Sequence, residues 1–181
     1  GVYLMKKTTL FGSIALILFL SLFNSVYSNG VSIVNAATGV YLKLTQSNVL
    51  VNCESQVSVV TGTQYFLNNL GTDQNIKYAF PLPEGASAIG LRWKINGTWY
   101  IAQINPNSQD TGLPGGNMNA NLRTHLGSTP LFFTIPQTVK KDSVLIIELK
   151  YVKLLPYSFG NVAFAYPNDY HLIQTAVLSS Q

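Results

Sequence analysis

Cysteine is nearly absent from this chain. Cys53 is the only one in 181 residues, so no intrachain disulfide can form and no cysteine cluster can hold a structural metal. A domain of this size must then stand on its apolar core. Cys53 itself is expected to be a half-buried strand residue. An intermolecular disulfide is the alternative, and it requires exposure. Charge is also scarce, at 10% of residues against 47% hydrophobic. Basic residues are scattered along the chain, which makes no case for a nucleic-acid partner. His125 and His171 are alone, with no His-x-x-x-His and no Glu-His pair, so a zinc site lacks ligands and no cofactor is expected. The Gly-rich stretch Gly112 to Gly116 lacks the Gly-Lys-Ser/Thr ending that cradles phosphate. A Gly-x-Ser-x-Gly nucleophile elbow is missing too.

Part of the apolar excess lies at the front. Met5-Lys6-Lys7 leads into an apolar run from Leu10 to Phe23, the pattern of a secretory signal peptide. Val26-Tyr27-Ser28 supplies the short residues of a cleavage site, and cleavage is expected after Ser28. A membrane anchor is the alternative, but the run is shorter than the ~20 residues a spanning helix needs. Gly1 to Leu4 precede Met5 and repeat the letters of Gly39 to Leu42. They are read as extraneous to the natural start. The leader takes two of the 11 basic residues with it, leaving nine against seven acidic ones. The expected organisation is a leader over 1–28, an N-terminal segment over 29–41, a folded domain over 42–167 and a tail or linker over 168–181.

Almost every later stretch reads as strand and turn. Val40–Leu44 and Asn48–Asn52 alternate. In the stretch that follows, Val57, Val59, Tyr65 and Leu67 are candidate inward positions. Asn75 begins a strand that ends in prolines, since proline cannot donate to a ladder. Leu131–Pro136 is another strand, closed by Pro136. Leu145, Ile147, Leu149 and Tyr151 obey period 2, with Glu148 and Lys150 outward, which marks a strand rather than a helix. Val162, Phe164 and Tyr166 alternate in a last strand. Only Asn105–Thr129 breaks the rhythm, and a short helix is expected near Met118 to Leu126. A loop of that length is functional or a plain connection. Many short strands with regular turns indicate an all-β fold, a single-domain antiparallel β-sandwich.

The stretch Ile89 to Ile104 holds both tryptophans. Asn96-Gly97 sits between alternating apolar runs, the strongest short signal for a hairpin with a type I′ turn. That turn sets Ile95 opposite Thr98, Lys94 opposite Trp99 and Trp93 opposite Tyr100. Opposed residues share a face. One face collects Ile89, Leu91, Trp93, Ile95, Tyr100, Ala102 and Ile104 and reads as core. The other collects Gly90, Arg92, Lys94, Trp99, Ile101 and Gln103. Arg92, Lys94, Trp99 and Ile101 form the candidate interaction surface. Asn96-Gly97-Thr98 is also an N-glycosylation sequon at an accessible tip, so Asn96 can carry a glycan in a eukaryotic host.

These residues resemble a known family, the VIT domain of vault proteins and inter-α-trypsin inhibitor heavy chains. The likeness rests first on Phe66 and Asn68. It continues through Tyr78, Phe80, Pro81, Leu82, Pro83, Gly85 and Ala86, and then through the hairpin. The Phe132-Phe133 strand, the Ile135-Pro136 turn and the strand ending at Tyr151-Val152 are similar to the family's second signature. The resemblance implies a β-sandwich that supports protein–protein contacts without catalysis. It also implies that the module can precede a von Willebrand A domain in a longer protein. The family's charged, alanine-rich middle segment is replaced here by the Asn/Gly-rich loop.

Two other classes fit parts of the sequence. Exposed aromatics on a sandwich face can stack on sugars, and a carbohydrate-binding module predicts Trp99 beside a second flat aromatic. A hydrolase is the least favoured, although Asp110-Thr111-Gly112 spells the aspartic-protease triplet. That site needs a second carboxylate, and a polar stretch precedes the triplet where an apolar strand is required. The reading is a secreted or cell-surface, non-enzymatic module, periplasmic or extracellular in a bacterium. Its expected partners are proteins, self-assembly included, with a glycan as a further candidate, and without nucleic acid or membrane after leader cleavage.

Overall fold

Valine, threonine and aromatic residues recur throughout the chain, and such side chains suit a pleated, half-buried surface. A computed structural model describes residues 29–102 and 112–164, and the backbone of 177–178. The strands are β1 (Val31–Asn35), β2 (Val40–Tyr41), β3 (Lys43–Glu54), β4 (Val57–Leu67), β5 (Gln74–Pro81), β6 (Ala86–Ile95) and β7 (Thr98–Ile101). A helix, α1 (Ala120–Leu126), precedes β8 (Pro130–Val139), β9 (Val144–Leu154), β10 (Tyr157–Ser158), β11 (Asn161–Val162) and β12 (Val177–Leu178). One sheet has the order β2-β1-β5-β8, and the larger has the order β12-β3-β4-β9-β6-β7. Every pair in them is antiparallel except β12 with β3.

The two sheets meet through aromatic contacts. Phe66 on β4 meets Tyr78 on β5 edge-on at 6.2 Å, and Phe80 on β5 meets Tyr151 on β9 at 5.9 Å. Trp93 on β6 meets Phe133 on β8 at 5.1 Å. Around them pack Ile33, Leu44, Leu91, Leu145 and Ile147, all buried. The period-2 assignment of β9 holds, with Leu145, Ile147, Leu149 and Tyr151 buried. The β-sandwich expected from the sequence is the fold observed.

β5 is buried on both faces from Ile76 to Pro81. Ile76, Tyr78 and Phe80 face the larger sheet. Behind them, Lys77 donates to the Gly112 carbonyl at 2.6 Å, and α1 lies over the back of the strand. The Asn119 side chain caps α1 by accepting from the Leu122 amide, and Gly127 closes it at φ 67°. Leu122, His125 and Leu126 are buried. The described part of the 105–129 stretch therefore contributes a structural cover.

Residues 29–35 enter the core as well. The Asn29 carboxamide oxygen accepts from Ser47 Oγ and Gln64 Nε2, and Tyr78 Oη donates to Gln64 Oε1 at 2.8 Å. His125 Nε2 lies 2.8 Å from the Asn29 carbonyl. A Cβ at Gly30 would overlap the Tyr78 ring, so only glycine lets the chain pass there.

Several sequence expectations are corrected. On β4 the inward residues are Ser58, Val60, Gly62, Gln64 and Phe66, not Val57, Val59, Tyr65 and Leu67. The buried polar side chains of β4 are satisfied by residues distant in sequence: Gln64 by Asn29 and Tyr78, and Ser58 by the Lys153 carbonyl. Ile89 is exposed because the ladder to β9 bulges between Ala88 and Gly90, and a bulge turns side chains to the other face. Cys53 is exposed near the end of β3 rather than half-buried. β8 continues through Pro136 to Val139, which an edge strand tolerates. Among the described residues of the last expected strand, only Asn161–Val162 pairs, and Val162 is exposed. The leader, Gln103, Ile104, Asp110, Tyr166 and His171 lie outside the described residues.

An exposed ion pair pins one turn. Lys140 Nζ sits 2.7 Å from Asp73 Oδ2, and the Lys141 amide donates to Asp73 Oδ1 at 2.9 Å. The Lys140 hydrogen bond, followed by the Lys141 amide, holds the Asp73 carboxyl below its ordinary 3.8. The unfolded chain takes up this proton at the ordinary value, the folded chain only at lower pH. The stabilisation is therefore complete above about pH 4 and lost as pH falls through the folded value. Asp73→Asn is expected to flatten this part of the acid limb in urea midpoints measured from neutral pH to about pH 2.5. An unchanged acid limb would remove the assignment.

Candidate interaction surface

The hairpin forms as its turn residues require. Asn96 and Gly97 have φ of 51° and 84°, as a type I′ turn demands. Ile95 pairs with Thr98, Lys94 with Trp99, Trp93 with Tyr100 and Arg92 with Ile101. The two indoles therefore part company. Trp93 is buried, stacks on Tyr100 at 5.7 Å and 14°, and donates Nε1–H to Gln137 Oε1 at 2.8 Å. Trp99 points to the outer face of the six-stranded sheet and is 42% exposed.

Arg92, Lys94, Trp99 and Ile101 come together on that outer face. The Arg92 guanidinium lies 4.6 Å from the Trp99 ring centroid, and Lys94 Nζ lies 5.8 Å from it. Both distances are within reach of a cation–π attraction. Arg92 is also held from the neighbouring strand, with Nε and Nη2 each 2.8 Å from a Glu148 oxygen. Such a two-point fork fixes the guanidinium plane. The Glu148 hydrogen bond raises the Arg92 pKa above its ordinary value, so the group stays charged. Ile101 is 76% exposed. The result is an indole braced by a fixed cation, with an apolar neighbour on its open side. Glu148 and its bracing role escaped the sequence reading, which marked it only as outward. The cross-strand distance that reveals it depends on the register of β6 against β9, where the bulge falls.

Trp99 has no aromatic neighbour among the described residues, where a sugar platform was expected to offer one. Asn96 is exposed at the hairpin tip. Among the described residues, no group of three or more His, Cys, Asp or Glu is placed to hold a metal ion, and no helix is long and apolar enough to cross a membrane.

The Phe-x-Asn element also has a clear role. Asn68 is buried, and its Nδ2 donates to the carbonyls of Thr72, Val139 and Lys140 at 2.9, 2.9 and 3.1 Å. Its amide donates to the Ser143 carbonyl, and its own carbonyl accepts from Asp142. One carboxamide thus ties the β4–β5 loop to the β8–β9 turn.

Comparison with known proteins bears on the same region. Residues 44–111 match the family model of the vault protein inter-alpha-trypsin domain. The match runs from β3 through β7 and includes Asn68 and the hairpin. No curated protein matches the sequence.

Proposed function

We propose that this chain, which carries a VIT domain over residues 44–111, is a secreted or cell-surface module that binds another protein and does no chemistry of its own. The observation that carries this reading is the braced, 42% exposed Trp99 beside Ile101. Tryptophan and arginine dominate binding hot spots, because a rigid aromatic surface loses little freedom on docking. Arg92 is already immobilised by Glu148, so part of the ordering cost is met before the partner arrives. The same arrangement disfavours a sugar platform. The guanidinium covers indole surface that a flat sugar ring would need, and among the described residues no second aromatic extends it.

Trp99→Ala and Ile101→Asp are expected to weaken partner binding by about 10-fold or more each, in line with loss of a hot-spot residue. Neither change should move the melting temperature by more than about 2 °C, since surface changes usually stay within about 0.5 kcal/mol. The test is photo-crosslinking from position 101 on intact producing cells, followed by affinity measurement with the captured protein. Undiminished binding by both variants would remove this face from the proposal. A glycan-dependent signal lost in Trp99→Ala would replace the protein partner with a carbohydrate.

A further inference from the structure

A second surface lies at the far end of the outer face. Eight residues along β9 separate Ile146, in the Lys94 row, from Leu154, roughly 27 Å at strand spacing. Beyond Leu154 the chain turns into the small β10–β11 hairpin. Its two-residue loop is Phe159-Gly160, with φ of 50° and 82°. This is the geometry of Asn96-Gly97 at the other hairpin, but with phenylalanine where Asn, Asp or Gly is favoured. A bulky residue at positive φ carries conformational strain. Phe159 recovers none of it by burial, because it is 100% exposed. Tyr157 and Val162, a cross-strand pair, are exposed too, as is Leu154 at the hairpin root. Local conformation and solvation both disfavour an aromatic ring at this position.

The receiving surface lies beside the hairpin. A depression of about 670 Å³ is lined by Asn52, Cys53, Glu54, Ser55, Val57 and Val59. Its lip is joined to the hairpin root, since Leu154 pairs with Val57 and the Leu155 amide donates to the Gln56 carbonyl at 2.7 Å. Projection and depression thus occupy one patch. A two-fold dimer requires such a self-complementary patch, in which residue i meets j and j meets i.

We propose that two copies of this chain dock by exchange of these features, each Phe159 ring seated in the other copy's Val57–Val59 depression. The contact is separate from the Trp99 surface and leaves it free for a partner. Phe159 makes no packing contact in the fold, so Phe159→Ser leaves the monomer intact.

Sedimentation of the purified protein over a concentration series is expected to show a monomer–dimer equilibrium, weakened by about 10-fold or more in Phe159→Ser. A mixing experiment locates the contact. Cys53→Ser/Phe159→Cys protein, mixed under mild oxidation with Cys53→Ser/Val59→Cys protein, is expected to give disulfide-linked heterodimer in excess of either homodimer. A monomer at every concentration overturns the proposal. So does a dimer indifferent to Phe159→Ser, or crosslinking without heterodimer excess. Phe159-dependent binding of a monomer to phosphatidylglycerol vesicles would assign the hairpin to a lipid surface instead.

Discussion

Trp93→Ala is expected to cost about 3–5 kcal/mol of stability, the range for deleting a large buried aromatic. For a domain of this size that lowers the melting temperature by on the order of 10 °C. Three losses combine. The stacked contact with Tyr100 and the tilted contact with Phe133 disappear. The Gln137 carboxamide loses its indole donor. A cavity opens where β6 meets β8, between the two sheets. Trp99→Ala, the same chemical change six residues on, should cost a small fraction of this. Urea midpoints of the two variants check the contrast, and near-equal losses would mean that the faces are not divided as described.

Asn68→Ala is expected to cost about 2–4 kcal/mol, because it leaves buried carbonyls without a donor. Asn68→Asp is the sharper test. It preserves shape and volume, yet it turns an acceptor toward the carbonyls of Thr72, Val139 and Lys140. Its loss should equal or exceed that of alanine at neutral pH. Part of it should return in acid, where a protonated carboxyl can donate again. An Asn68→Asp variant as stable as the native protein at pH 7 would show that the carboxamide bonds contribute little.

The parts of this fold that the sequence discloses are those where one local rule acts alone. Asn96-Gly97 specifies its turn by backbone sterics, and the register of Trp93 and Trp99 follows from it. β9 is legible because Glu148 and Lys150 mark the outer face without ambiguity. α1 falls where a short helix is expected, near Met118 to Leu126, and its caps Asn119 and Gly127 emerge only in the structure. β4 fails the same treatment. Val57, Val59 and Val60 offer apolar residues in both parities, and its inward Ser58 and Gln64 look like surface residues until Asn29, Tyr78 and the Lys153 carbonyl are in place. A one-residue error in such a strand exchanges the two faces entirely. Ile89 was misplaced by a bulge that no residue type announces. The buried Lys77 under residues 112–126, and the entry of Asn29-Gly30 into the core, are products of tertiary packing. The grouping of Arg92, Lys94, Trp99 and Ile101 was legible, whereas the Glu148 brace needed the neighbouring strand.

The division of the two tryptophans is the claim that everything functional here depends on, and acrylamide quenching of single-tryptophan variants tests it most directly. Trp99→Phe retains Trp93, which should emit at short wavelength and resist quenching in the native state. Trp93→Phe retains Trp99, which should emit at longer wavelength and be quenched several-fold more readily. Equal quenching, or the reverse order, would contradict the account.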